Sequence, residues 1–270
     1  MFFPLRSARV RILAPALLVF TVLVMIDVSS AQDKAASVHA IALAEHGGIH
    51  KPFVDAAKLW LSKLQKDNNF TVEYIEDTTK IDDAFLAKYN LFIQLNYPPY
   101  NWTDKAQAAF IKYIEEGRGG WIGFHHATLL GEFDGFQMWP WFHEFMGNVR
   151  FKNYIASFVA GTVTIEDAKH PAMKNVQSPF VIEKEEWYTY DTSPRPNIHV
   201  LASVDEKTYT PPTDIKMGDH PVIWTNERYK ARNIYIFMGH GPWLFENQAF
   251  TKIFRNSIFW ASAVKKSHEE

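Results

Sequence analysis

The sequence contains no cysteine among its 270 residues. This absence excludes disulfide bonds, a lipid-anchored cysteine, a thiolate metal ligand and a cysteine nucleophile, so a packed core must supply the stability. Runs of positive charge are also missing, because no Lys/Arg run is longer than Lys265-Lys266, and the net charge is only −2. A nucleic-acid groove and a surface for anionic lipid are therefore not expected.

The N-terminal segment has the pattern of a signal peptide. Three arginines between residues 6 and 11 precede an uncharged stretch from Ile12 to Ile26, and small residues follow up to Ala31. This stretch is shorter than the roughly 20 residues of a membrane-spanning helix, which argues against an uncleaved anchor. We predict a signal peptide over residues 1–31 and a periplasmic or secreted product that is not a lipoprotein and has no stable membrane insertion.

The mature protein is expected to begin at Gln32, because Ser29 and Ala31 fit the small-x-small pattern that signal peptidase accepts. N-terminal sequencing of the exported protein checks this prediction. A chain that retains residues 6–11 and remains in the membrane fraction would show that the segment is an anchor.

Beyond residue 37, short apolar runs alternate with segments of helical period. This alternation predicts a mostly parallel sheet covered by helices, in one domain without an internal linker. The predicted strands are 38–44, 71–75, 91–95, 121–124, 161–165, 198–204, 221–225 and 233–238. The predicted helices are 52–64, 103–116, 139–146 and 248–264.

Histidines cluster after the predicted strands, where an open parallel sheet binds its ligands. Five of the eleven histidines lie there: His46, His50, His125, His126 and His240. A single histidine in such a loop is more often a hydrogen-bonded structural residue, but five together predict one functional cleft. The glycines beside His46 and His240 would let the backbone approach a ligand closely.

Two further motifs carry carboxylates, Glu185-Glu186-Trp187-Tyr188 and Asp219-His220. Their carboxylates can orient an imidazole or act as acid and base. A solvated acidic run explains them equally well. Both interpretations stay open at the level of sequence.

Six motifs occur in the order and approximate spacing of one family. They cover residues 119–127, 139–142, 170–172, 185–188, 218–224 and 239–241. Through them the chain resembles the ThuA-like, or trehalose-utilisation, family over residues 37–264. The family is related to class I glutamine amidotransferases, which implies a flavodoxin-like α/β three-layer sandwich with a sharp turn after the fourth strand.

The resemblance to amidotransferases does not extend to their nucleophile. They present a cysteine at this turn, whereas the chain has Gly123-Phe124-His125-His126-Ala127. Glutamine hydrolysis through a thioester is therefore excluded, and no Gly-x-Ser-x-Gly motif supplies a serine. His125 takes the place of the nucleophile, where an imidazole can serve as acid, base or metal ligand.

The resemblance implies an exported protein of carbohydrate utilisation, with a small-molecule sugar as its partner. The leading hypothesis is a hydrolase, lyase or isomerase that acts on trehalose, a related disaccharide or a 3-keto-glycoside. A ketone at C3 acidifies the C2 proton, so a histidine base can start elimination of the C1 oxygen without paired carboxylates. His125 is the expected base, and His46 or His240 the acid or oxyanion partner.

The residues expected to bind the sugar are aromatic rings for stacking and polar groups for orientation. They are Gly47, His50, Tyr97, Trp102, His126, Trp139, Trp141, Glu186, Trp187, Asp219, His220 and Trp243. A non-catalytic sugar-binding module would use the same residues. A metal-dependent hydrolase is the third alternative, but His46-x-x-x-His50 lies in a loop and no His-Glu-x-x-His motif is present. No metal ligand and no cofactor are therefore assigned, with a divalent metal as the weaker alternative.

Overall fold

The computed structural model describes residues 1–2 and 37–263. The predicted signal peptide beyond Phe2 and the predicted helix end at Val264 lie outside the described residues. Within the described part, no helix has both the length and the apolar character needed to span a membrane.

Strands and helices alternate in the first half of the domain, and strands dominate the second half. The strands are β1 Val38–Ala44, β2 Phe70–Ile75, β3 Leu91–Leu95, β4 Gly120–Phe124, β5 Phe151–Tyr154, β6 Val159–Ile165, β7 Phe180–Glu185, β8 Tyr188–Tyr190, β9 His199–Thr210, β10 Pro221–Thr225 and β11 Asn233–Ile236. The α-helices are α1 Lys51–Asp67, α2 Asp83–Leu86, α3 Asp104–Glu115, α4 Pro140–Phe145 and α5 Gln248–Ala261. The predicted single α/β domain is confirmed.

The central sheet has nine strands in the order β2-β1-β3-β4-β11-β10-β9-β6-β7. The first five of these are parallel to one another, and the remaining four continue the sheet in antiparallel fashion. Strands β5 and β8 form a separate antiparallel pair. The sheet is thus mixed, with a flavodoxin-like parallel half.

The parallel half contains a topological switch point between β1 and β3. The chain steps from β1 outward to β2, then returns to β3 on the other side of β1 and continues to β4. Because such crossovers are right-handed, the opposite steps place α1 and α3 on opposite faces of the sheet. Ligands bind beyond the carboxyl ends of the strands at such a point.

The core is built around strands β1, β3, β4 and β11, which are buried almost without interruption. Helix α1 starts with Pro52 in its first turn and buries Phe53, Ala57 and Leu61 on one face. Helix α3 is capped by Thr103, whose hydroxyl accepts a hydrogen bond from the Ala106 amide at 3.2 Å.

Candidate functional site

Loops after four neighbouring strands meet at one edge of the sheet. The amide of Glu45, after β1, donates to the carbonyl of Leu95 at 2.9 Å. The side-chain amide of Asn96, after β3, donates to the carbonyl of Gly239 at 2.6 Å. The loops after β1, β3 and β11 are therefore tied together, and the turn after β4 lies among them.

His50 closes the loop that leads from β1 into α1. It occupies the N-cap position of the helix, but its side chain makes no capping hydrogen bond. The imidazole is instead buried, with Nε2 3.1 Å from Nδ1 of His240. A hydrogen bond between these two nitrogens requires that one carries the proton and the other accepts it.

His125 begins the turn after β4 with a backbone φ of +37°. Such a conformation costs a non-glycine residue about 1–3 kcal/mol, and it persists only where the surroundings enforce it. The hydroxyls of Thr128 and Tyr235 each donate to the His125 carbonyl at 3.0 Å, and His125 Nδ1 donates to the carbonyl of Phe237 at 3.2 Å. The ring is completely buried, and this burial lowers its pKa to about 3.

Four side chains form a group that we call the histidine–glutamate cluster: His50, His125, Glu186 and His240. One ligand-type atom from each lies within 4.8 Å of the others. Glu186 Oε2 is 3.4 Å from His240 Nδ1 and 3.6 Å from His125 Nε2. Burial alone would raise the pKa of Glu186, but the imidazoles of His125 and His240 lower it to about 2, so Glu186 is a carboxylate.

Glu185 anchors the segment that delivers Glu186. Its carboxylate is completely buried, and it accepts hydrogen bonds from the amides of Glu186 at 2.9 Å and Gly239 at 3.1 Å. Burial raises the pKa of Glu185 to about 7. Glu185 thus connects the end of β7 to the loop that carries His240.

Glu45 forms a second pair of contacts next to the cluster. Its Oε2 is 3.3 Å from Nδ1 of His126 and 3.5 Å from Nδ1 of His50. Burial would raise the pKa of Glu45, but the two imidazoles outweigh it and lower the pKa to about 2. The ionised carboxylate can therefore orient both rings.

Two cavities adjoin the cluster and share Ile49 and Glu186 in their walls. The first has a volume of about 320 Å³, and the second about 530 Å³. The first is lined by Glu45, Gly48, Ile49, His50, His126, Leu129, Phe133, Phe151, Tyr154, Glu186 and Tyr188. The second is lined by Ile49, Pro52, Ala156, Phe158, Glu186, His240, Gly241, Pro242 and Trp243. Aromatic walls with few polar groups are typical of small-molecule sites.

The expectation that His46 joins His125 and His240 is wrong. Its side chain is 73% exposed and pairs with Glu76 at 2.8 Å, outside the cluster. His50 takes the expected place, because Gly47 and Gly48 both adopt positive φ and turn the chain before α1. His125 and His240 do converge, with ring centroids 5.5 Å apart.

The tryptophans Trp102, Trp139 and Trp141 belong to an aromatic packing group and border neither cavity. The rings of Trp102 and Trp139 are 5.3 Å apart, and Trp141 stacks on Phe145. Tyr97 packs edge-on against Trp102 and likewise borders neither cavity. The structure thus places four of the expected stacking rings away from the site.

Trp187 is also part of the core, where it stacks on Phe237 and Tyr209. Of the expected aromatic residues, only Trp243 borders a cavity. Its indole N–H donates to the carbonyl of Lys184 at 2.7 Å, and its ring lies 5.1 Å from that of Phe158. Trp243 therefore remains a candidate for sugar stacking.

Asp219 and His220 lie away from the cluster, each beside a different partner. Asp219 binds Arg195 at 2.7 Å, and His220 Nδ1 is 2.9 Å from Glu206. Neither residue borders the two cavities. The expected sugar contacts of this motif are not supported by its position.

Glu45 and Tyr188 border the first cavity but were not among the site residues expected from the sequence. Glu45 directly follows β1, and its position at the carboxyl end of a parallel strand could have identified it as a site residue. Tyr188 lies against His125, with ring centroids 4.3 Å apart. It is brought there by β8, a three-residue strand too short to be recognised from its pattern.

The chain belongs to the ThuA, or trehalose-utilisation, family, whose model matches residues 40–261. It is 31% identical to a ThuA-like protein from Bacteroides uniformis, over 87% of this chain and 95% of that one, with a TM-score of 0.76. A ThuA-like protein from Parabacteroides merdae is 14% identical over 87% and 93%, with a TM-score of 0.58, and shares the fold. No curated protein matches the chain.

Proposed function

We propose that the protein is an exported enzyme that converts a disaccharide, either trehalose or a related sugar in its 3-keto form, by histidine acid–base chemistry. The family supports a role in carbohydrate utilisation. The observation that carries the proposal is the convergence of ionisable groups on two adjoining cavities with aromatic walls. Their volumes suit small molecules, and the shared wall at Glu186 divides the site into two lobes, one for each sugar ring.

His126, not His125, is the base in this proposal. His125 is completely buried and borders neither cavity, whereas His126 borders the first cavity. Glu45 Oε2 lies 3.3 Å from Nδ1 of His126 and orients the ring. This arrangement leaves Nε2 of His126 to accept a proton from the substrate, as in other carboxylate–histidine pairs.

The reaction follows from the chemistry of a 3-keto sugar. His126 removes the proton at C2, which the neighbouring ketone acidifies, and the electron pair forms the C1–C2 double bond as the C1–O bond breaks. The departing oxygen takes a proton from an acid. In this proposal the acid is His240, which borders the second cavity. The products are an unsaturated keto sugar and the free second sugar.

The test is to incubate the chain from residue 32 onward with trehalose, sucrose and the 3-keto form of each, and to separate the products. We expect cleavage of a keto sugar and none of its parent. Binding without turnover would show a sugar-binding module instead. Neither binding nor turnover with any of the four sugars would contradict the proposed substrate class.

A further inference from the structure

The histidine–glutamate cluster contains atoms whose contacts are not hydrogen bonds. Glu186 Oε2 lies 3.4 Å from His240 Nδ1 and 3.6 Å from His125 Nε2, beyond the usual 2.7–3.2 Å. His125 Nε2 is buried and has no hydrogen-bond partner within the described structure. An unpaired polar atom in a buried site calls for an explanation, such as a bound ion.

The spacing of these atoms fits one coordination shell. Four nitrogen or oxygen ligands at 2.0–2.2 Å from a tetrahedral ion lie roughly 3.3–3.6 Å from one another. The distances His50 Nε2 to His240 Nδ1, His240 Nδ1 to Glu186 Oε2 and Glu186 Oε2 to His125 Nε2 are 3.1, 3.4 and 3.6 Å. Three edges of the group therefore have nearly the length that such an ion requires.

Contacts behind the rings of His125 and His50 direct Nε2 of each ring into the cluster, where it can bind an ion. The Phe237 carbonyl can only accept a hydrogen bond, so Nδ1 of His125 carries the proton and Nε2 points into the cluster. On the other side, Glu45 Oε2 lies 3.5 Å from Nδ1 of His50, whose Nε2 faces His240. A carbonyl or carboxylate behind a ligand histidine is the usual second contact at metal sites.

We propose that the cluster is a binding site for one divalent transition-metal ion, held by Nε2 of His50, Nε2 of His125, Nδ1 of His240 and a carboxylate oxygen of Glu186. Imidazole ligands with one carboxylate suit Zn²⁺ and its neighbours better than Mg²⁺ or Ca²⁺. Glu186 borders both cavities, so a further coordination position can face the ligand space. The role proposed for His240 as an acid would use its Nε2, which this coordination leaves free.

The experiment measures metal directly and does not depend on turnover. The chain from residue 32 onward is stripped with a chelator, titrated with Zn²⁺ by calorimetry, and its bound zinc is counted by mass spectrometry. We expect one Zn²⁺ per chain and a rise in Tm when zinc is added. Less than half an equivalent, at zinc concentrations equal to the protein, would overturn the proposal.

Two variants of the cluster and two matched controls locate the ion. Glu186→Gln and His125→Asn should each weaken Zn²⁺ binding by at least about 100-fold, since outer contacts alone are worth 10- to 100-fold. Glu186→Gln keeps the shape of a side chain that is less deeply buried than that of His125, so it remains informative if His125→Asn fails to fold. His46→Ala, outside the cluster, should bind zinc like the parent.

His126→Ala distinguishes the cluster from the neighbouring group Glu45, His50 and His126, whose atoms are also close enough to hold an ion. Zinc bound at the cluster should survive this substitution with at most a tenfold loss. Loss of zinc in His126→Ala but not in Glu186→Gln would place the ion at the other group and overturn the assignment. Metal binding without sugar turnover would leave this inference standing and refute only the proposed reaction.

Discussion

Replacement of His126 by alanine should lower kcat for a 3-keto-disaccharide by about 10²- to 10⁴-fold, the usual contribution of a general base. The ring borders the first cavity, and Glu45 fixes its orientation at 3.3 Å. KM should change little, because the proton is transferred only in the transition state. Steady-state kinetics on the 3-keto form of the best substrate measures both quantities.

Two further variants control for the position of the base. Glu45→Gln keeps the shape of the orienting side chain but removes its charge, and it should lower kcat less than His126→Ala does. His46→Ala should leave both kcat and KM unchanged, because that side chain is exposed and paired with Glu76. Full turnover in a folded His126→Ala protein would show that His126 is not the base and that another group removes the proton.

The parallel half of the fold could be predicted from the local pattern of apolar and polar residues. Strands β1 and β3 have the predicted bounds, because buried parallel strands are largely apolar runs that stand out between polar loops. Since parallel strands end at one edge, the convergence of His125 and His240 also followed from the sequence. The antiparallel strands of the second half of the chain were less predictable, because β5 and β8 are short and β7 contains charged residues.

The choice between His46 and His50 could not be made from the sequence. Both follow β1 within six residues, and the outcome depends on two consecutive glycines with φ of +82° and +67°. Because glycine adopts many backbone conformations, contacts across the whole site decide the direction of this loop. Contacts with His240 and Glu45 place His50 inside, while His46 remains at the surface.

The burial of the acidic motif at 185–188 could not be predicted from the sequence either. A run with two adjacent glutamates is usually solvated, yet Glu185 is completely buried and Glu186 nearly so. Their burial results from pairing between distant segments, since β7 ends at Glu185 and the amide of Gly239 donates to its carboxylate. Periodicity within a short window carries no information on such contacts.

The final prediction separates the tryptophans that pack the core from the one that borders a cavity. Trp187→Ala should lower the free energy of unfolding by about 3–5 kcal/mol, the usual cost of truncating a buried tryptophan. Its ring is fully buried between Phe237 and Tyr209, at centroid distances of 5.4 and 5.7 Å. Its indole N–H also donates to the Val159 carbonyl at 3.0 Å, and this acceptor would lose its partner.

Trp243→Ala is the matched variant, because Trp243 is only partly buried and borders the second cavity. It should weaken sugar binding about two- to tenfold, the range expected for loss of one stacking contact, and change the stability less than Trp187→Ala does. Urea denaturation and calorimetric titration with the best-bound disaccharide measure the two effects on each variant. If Trp187→Ala were as stable as the parent and lost only its sugar affinity, the core role assigned to that ring would be wrong. If Trp243→Ala bound sugar as the parent does, the second cavity would not be a sugar subsite.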